Sequence, residues 1–108
     1  MQTIGRFAPS PSGRMHLGNV LCALLAFLSA RQQNGQFLLR IEDLDAMRCP
    51  RSFADLIMDD LRWLGLDWDD EVPYQSERSD IYAHYEAILR EKGLLYPCFC
   101  SRAALHAA

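Results

Sequence analysis

The chain has 108 residues and a mass of 12.3 kDa, half of them apolar and 23% charged, with a formal net charge of -3. That is the composition of an ordinary globular chain with room for one small domain and no second folding unit of usual size. Its longest apolar run, Val20 to Leu28, is nine residues, about half a membrane-spanning helix, and no secretion signal opens it, so a cytoplasmic protein without a membrane partner is expected.

The first element is a short apolar strand, Ile4 to Ala8, running into a loop stiffened by Pro9 and Pro11 and turned by Gly13. From Asn19 to Asn34 apolar residues recur at helical spacing around more than half the circumference, which predicts a mostly buried helix punctuated by Asn34 and Gly35. Phe37 to Ile41 is the next strand, followed by an acidic loop carrying Glu42, Asp43 and Asp45. Strand, helix and strand in this order make a βαβ unit with parallel strands. A second helix is predicted from Pro50 or Arg51 to Leu64, with Phe53, Leu56, Ile57, Leu61 and Leu64 on one stripe and Gly65 at its end. Asp67, Asp69, Asp70 and Glu71 then read as a solvated surface connection. A third helix, Ser79 to Lys92, turns Ile81, Tyr85, Ile88 and Leu89 inward and stops at Gly93. Leu94 to Cys100 is extended, and Ser101 caps a further helix that is only begun by Ala108.

In an open parallel sheet, ligands bind outside the carboxyl ends of the strands. Two loops leave strands at that edge. The first, Arg6 to Asn19, delivers His16 and Gly18 to the start of the first helix, where unpaired N–H groups and the positive dipole end favour phosphate. His16 adds a donor, and Gly18 lets a base or sugar lie against the backbone. The second loop, Arg40-Ile41-Glu42-Asp43-Leu44-Asp45, brings carboxylates to the same edge. Arg6 and Glu42 facing one cavity would suit a zwitterion, guanidinium to carboxylate and carboxylate to ammonium; alternatively they pair with each other. Neither a G-x-G-x-x-G turn nor a G-x-x-x-x-G-K-[ST] loop is present, which leaves nicotinamide dehydrogenases and P-loop NTPases without support. Arginine supplies ten of the eleven basic residues, a bias toward bidentate recognition of carboxylate and phosphate.

The fourteen residues Arg6 to Asn19 resemble the signature of the glutamate-type class I aminoacyl-tRNA synthetases, with His16-Leu17-Gly18-Asn19 standing for the HIGH motif. Arg40-Ile41-Glu42-Asp43 matches their second hallmark. The likeness continues through Trp63-Leu64-Gly65-Leu66, Tyr74-Gln75-Ser76-Glu77-Arg78 and Tyr96-Pro97-Cys98-Phe99-Cys100-Ser101. Glutaminyl enzymes carry Pro-Pro-Glu-Pro-Asn-Gly where this chain has Ala8-Pro9-Ser10-Pro11-Ser12-Gly13, so glutamate is favoured over glutamine. Ser12, the string Arg14 to Asn19 and the segment Tyr96 to Leu105 resemble the shorter paralogues, the glutamyl-queuosine tRNA(Asp) synthetases, which attach glutamate to the queuosine base of tRNA(Asp). The alternatives are a glutamyl-tRNA synthetase charging the 3′ end of tRNA(Glu), or a non-catalytic fragment of either.

The resemblance implies an α/β, Rossmann-like nucleotide-binding fold with a parallel sheet, incomplete at its C-terminus. Residues 1–108 are then the N-terminal part of the catalytic domain, with 94–108 beginning the inserted zinc-binding, acceptor-side region. It also implies that Arg6, Ala8, Ser10 and Glu42 contact L-glutamate, that His16, Gly18 and Asn19 hold ATP and do the catalytic work, that Mg2+ accompanies the nucleotide, and that the whole protein acts as a monomer on tRNA. The family's KMSKS-type lysine loop has no counterpart, since the single lysine, Lys92, lies on the third helix; the 108 residues alone are expected to be inactive. Cys98 and Cys100 are one residue apart on an extended segment, so their thiols point the same way. They supply half of a Zn2+ site, to which His106 is the one further candidate ligand here. Cys22 and Cys49 read as a core thiol and a loop thiol.

Overall fold

The structure, a computed structural model, describes residues 2–107. The chain divides into two compact units, one running to Arg78 and the other from Ser79.

The first unit is built on a parallel strand pair, β1 (Ile4–Phe7) and β2 (Gln36–Leu39), joined through helix α1 (Leu17–Arg31). Ile4 faces Gln36 and Phe7 faces Leu39. Alternation places Gly5, Phe7, Phe37 and Leu39 on one sheet face and Arg6 and Leu38 on the other. The first face is the core. Gly5 has no side chain because α1 lies against it: a Cβ there would stand 2.8 Å from the Ala26 carbonyl oxygen and 3.0 Å from Ala30 Cβ. Phe27 of α1 meets Phe37 edge-on, with centroids 5.4 Å apart. Helix α2 (Arg51–Trp63) adds buried Ala54, Ile57 and Leu61 to the same cluster. Phe37, Ile41, Ile57 and Leu61 are its largest fully buried side chains, each contributing about 1.5–3 kcal/mol by removal from water.

The sheet continues past the named strands. Arg40 N–H donates to the Phe7 carbonyl and Glu42 N–H to the Pro9 carbonyl, both at 3.0 Å. On the other side Ile41 N–H donates to Pro73 O (3.0 Å) and the Ile41 carbonyl accepts from Gln75 N–H (2.9 Å), a parallel bridge to Tyr74. The β2 line is therefore central. One residue of pairing, next to a proline, has no alternating pattern to read, and the sequence reading missed this third line.

Three expectations change. Helix α1 is not mostly buried: Ala23 and Ala30 are buried, whereas Leu17, Leu21, Leu24, Leu25 and Leu28 are exposed. A helix buries only the face that meets another layer, and here the small residues Ala23, Ala26 and Ala30 take the sheet. Second, the acidic run is not merely solvated. The Asp69 carboxylate accepts from Arg31 Nη1 and Nη2 at 2.6 and 2.9 Å and from Phe37 N–H at 2.7 Å, while Asp69 N–H donates to the Phe37 carbonyl at 3.0 Å. These bonds hold the Asp69 carboxyl below its ordinary range, the Arg31 hydrogen bonds first and the Phe37 N–H second. Third, α3 (Ser79–Glu91) carries no buried residue, and Ile81, Tyr85 and Leu89 are exposed.

The second unit comprises α3, an extended segment and the short helix α4 (Arg102–His106). Gly93, at φ 67°, ends α3 as the spacing predicts, and Ser101 Oγ accepts from Ala104 N–H at 3.1 Å, making it the expected cap of α4. Two helices and an extended segment form too little surface to sequester the apolar stripe of a 13-residue helix. Among the described residues no helix is long and apolar enough to cross a membrane.

Candidate active site

The loop from Ala8 to Met15 leaves β1, crosses the carboxyl end of the sheet and enters α1 through His16, the helix N-cap, which is extended at φ -90°, ψ 168°. Imidazole Nδ1 of His16 accepts from Gly18 N–H at 3.1 Å and Asn19 N–H at 3.3 Å, while Asn19 Oδ1 accepts from His16 N–H at 3.1 Å. This is a capping box built from histidine and asparagine in place of the usual serine and glutamate. In this structure the Gly18 and Asn19 N–H groups are thus bonded to His16. Gly18 leaves room for the ring in this position, since a Cβ there would lie 2.9 Å from His16 Cε1 and 3.0 Å from Nδ1.

Two clefts flank this loop and share Ser10 and Ser12. The first, of about 230 Å³, is lined by Arg14, His16 and Asn19 with Met15 and Ile57 as its apolar floor. Its polar groups are mainly donors. Arg14 reaches Asp60 of α2 at 3.4 Å and so spans the rim. The second, of about 340 Å³, is lined by Glu42, Asp45, Arg48, Cys49 and Gln75 and is rich in carboxylates. The loop bearing Glu42 is anchored from behind. Asp43 Oδ1 accepts from Ser76 N–H at 2.9 Å and Oδ2 from the Ser76 hydroxyl at 2.7 Å. Burial alone would raise the Asp43 pKa, but these two bonds, together with its own backbone N–H and the nearby Arg51 charge, outweigh it and the carboxyl lies below its ordinary value. The 3₁₀ turn Gln75–Arg78 is held in turn by Arg51, whose guanidinium stacks 3.4 Å over the Tyr74 ring and pairs with Glu77 at 3.0 Å.

The sequence-derived residues are thus distributed. Ser10, His16 and Asn19 line the first cleft, and Ser10 and Glu42 the second. Ala8 and Gly18 line neither. Arg6 shares the outward sheet face but borders a separate depression of about 200 Å³ with Leu38, Arg40, Asp70 and Glu71. It does not pair with Glu42, whose Oε1 lies 3.7 Å from Arg40 Nε. One cysteine assignment changes: Cys22 is exposed on α1, whereas Cys49 lies on a loop as expected but is buried there, its thiol pushed up by burial first and by Asp45 and Asp43 second. Cys49 and Gln75 were missed as site-lining residues. Asp60 lines neither cleft, but its helical offset from Ile57 puts both on one side of α2, where it can hold Arg14. Cys98 and Cys100 are exposed, and among the described residues no three His, Cys, Asp or Glu groups come together as a metal site. His106 does not join the two thiols. The donors present do not amount to a tetrahedral zinc set.

The parallel βαβ unit thus carries a donor-rich cleft beside an acidic one at its strand ends. A family model described as tRNA synthetases class I (E and Q), catalytic domain, matches residues 2–108, and the chain belongs to that family. It is 53% identical over 111 residues to a glutamyl-Q tRNA(Asp) synthetase of Symbiobacterium thermophilum, covering 95% of this chain and 34% of that protein. It is 52% identical over 96 residues to a glutamate–tRNA ligase of Aquifex aeolicus, covering 89% of this chain and 20% of the relative. Among solved structures, a glutamate tRNA ligase from Elizabethkingia meningosepticum, in complex with its amino acid, superposes with a TM-score of 0.81 at 35% identity, over 99% of this chain and 23% of the other. The chain therefore spans about a third or less of the length of these relatives, which are ligases of the glutamyl-tRNA synthetase family.

Proposed function

We propose that the protein containing this chain activates L-glutamate with ATP and transfers the glutamyl group to the queuosine base of tRNA(Asp). The observation that carries the reading is the division of the strand-end site into a donor-rich and a carboxylate-rich cleft meeting at Ser10 and Ser12. A polyanion suits the first and an ammonium group the second. In the reaction a glutamate α-carboxylate oxygen attacks the α-phosphorus of ATP. The new O–P bond forms as the bond to the bridging oxygen of the β-phosphate breaks, and pyrophosphate leaves with that electron pair. A nucleophile on the acceptor then attacks the acyl carbon and releases AMP. Such chemistry needs positioning and charge stabilisation, not a protein nucleophile. His16 and Arg14 would face phosphoryl oxygens, Glu42 the ammonium group, and Arg6 a glutamate carboxylate. Magnesium, arriving with the nucleotide, would supply further charge neutralisation. Cys98 and Cys100 contribute two thiolates to a zinc site at most, within an acceptor-side region beginning near residue 94.

The queuosine assignment is supported by Ser12, by the string Arg14 to Asn19 and by the glutamyl-Q relative, whereas a glutamate–tRNA ligase of nearly the same identity keeps tRNA(Glu) as the second reading. Glutamate-dependent exchange of pyrophosphate into ATP by the whole protein tests the activation step. Glu42→Ala and His16→Ala are each expected to lower it at least tenfold; unchanged exchange in both would reject this site.

A further inference from the structure

We infer that the helix itself fixes the tautomer of His16, leaving a single Nε2–H donor facing the first cleft, and that Gly18 and Asn19 act as positioning residues for that donor. The inference deepens the proposed nucleotide activation and rests on it for the identity of the ligand. Two N–H groups, of Gly18 and Asn19, converge on Nδ1 at 3.1 and 3.3 Å. An imidazole nitrogen that accepts hydrogen bonds carries no proton, so a neutral ring must carry its proton on Nε2. That nitrogen has no hydrogen-bond partner among the described residues, and His16 is exposed and lines the cleft. Its chemical complement is an acceptor oxygen, such as that of a phosphate.

The neighbours explain why the ring stays there. A side chain at residue 18 would make the imidazole shift from this position, because the Cβ would approach Cε1 to 2.9 Å. Asn19 ties down the His16 backbone through its own Oδ1 at 3.1 Å. A rotamer and tautomer set before the ligand arrives cost nothing at the moment of reaction, which is where a preorganised donor is most effective. Gly18 and Asn19 then serve the donor and need not touch the ligand.

The test uses the whole protein with 15N-labelled histidine and no ligand, His16 being assigned by comparison with His16→Asn. Multiple-bond 1H–15N spectra at mildly alkaline pH are expected to show His16 only as the Nε2–H tautomer. Gly18→Ala and Asn19→Ala should convert it to a mixture, while Asn19→Asp, which keeps the oxygen acceptor, should retain it. In parallel, His16→Asn places an acceptor where Nδ1 was and removes the distal donor; it should keep the wild-type Tm and lose about 10²–10³-fold in pyrophosphate exchange. His16→Gln, with a distal N–H and no cap, should melt lower and retain more exchange than His16→Asn. An Nδ1–H or mixed tautomer in the wild type, or a spectrum indifferent to both residue 18 and residue 19, would overturn the inference. Absence of exchange in the wild type would instead remove the activation reading, and the ligand-free spectrum would still decide the tautomer.

Discussion

Asp69 offers the sharpest energetic test of the fold, because a single carboxylate joins the end of α1, the start of β2 and the loop that follows α2. Two contributions can be separated. The ion pair with Arg31 is about 30% exposed at each end, so it is screened and weak. The acceptor for Phe37 N–H is different: Phe37 is fully buried, and an orphaned donor there costs about 1–3 kcal/mol. Asp69→Ala should therefore destabilise the chain by about 2 kcal/mol, and Asp69→Asn, which keeps an oxygen for Phe37 N–H, by less than about 1 kcal/mol. Urea unfolding with an unchanged m-value reads both as shifts in midpoint. The pH dependence has a definite sign. The folded carboxyl titrates below its ordinary value, so between the folded and unfolded pKa values the unfolded chain binds more protons. The stabilisation is complete above about pH 4 and is lost as pH falls through the folded value. Asp69→Asn should abolish that increment of acid sensitivity. Equal losses in the Ala and Asn variants would refute the claim that the backbone acceptor dominates.

Further outcomes follow from the packing and the site. Gly5→Ala should lower stability by about 1–3 kcal/mol in thermal melts, because the new methyl meets the Ala26 backbone carbonyl, which cannot rotate away. Asp43→Ala releases the Glu42 loop from Ser76; in the whole protein it should raise KM for glutamate about tenfold with little change in KM for ATP, as measured by pyrophosphate exchange. With chelator present, iodoacetamide should modify exposed Cys22, Cys98 and Cys100 before buried Cys49, whose thiol is pushed up; peptide mass spectrometry gives the order.

What could be read in the sequence is what depends on neighbours along the chain. Ile4 to Ala8, the helix after it and Phe37 to Ile41 gave a βαβ unit because period and punctuation are local, and Gly65, Gly93 and Ser101 marked helix ends for the same reason. Asp69 looked like one member of a charge run because its partners, Arg31 and Phe37, are more than thirty residues away. The exposure of Leu21, Leu25 and Ile81 was also illegible, since periodicity says which residues share a face and not whether anything covers it. At the site, the residue string put His16, Gly18 and Asn19 together as a set, but how they contact one another needed coordinates: the Gly18 and Asn19 N–H groups are bonded to His16 itself. Arg6 and Glu42 illustrate the same limit. Their common sheet face follows from strand parity, whereas coordinates were needed to show that they border different depressions and that Glu42 has Arg40 beside it.

The central claim is tested most directly by supplying the whole protein with ATP and labelled L-glutamate and charging queuosine-containing tRNA(Asp) and unmodified tRNA(Glu) in parallel. Label accumulating on tRNA(Asp) only when queuosine is present is the predicted result. Label on tRNA(Glu) alone, or on neither, would contradict it.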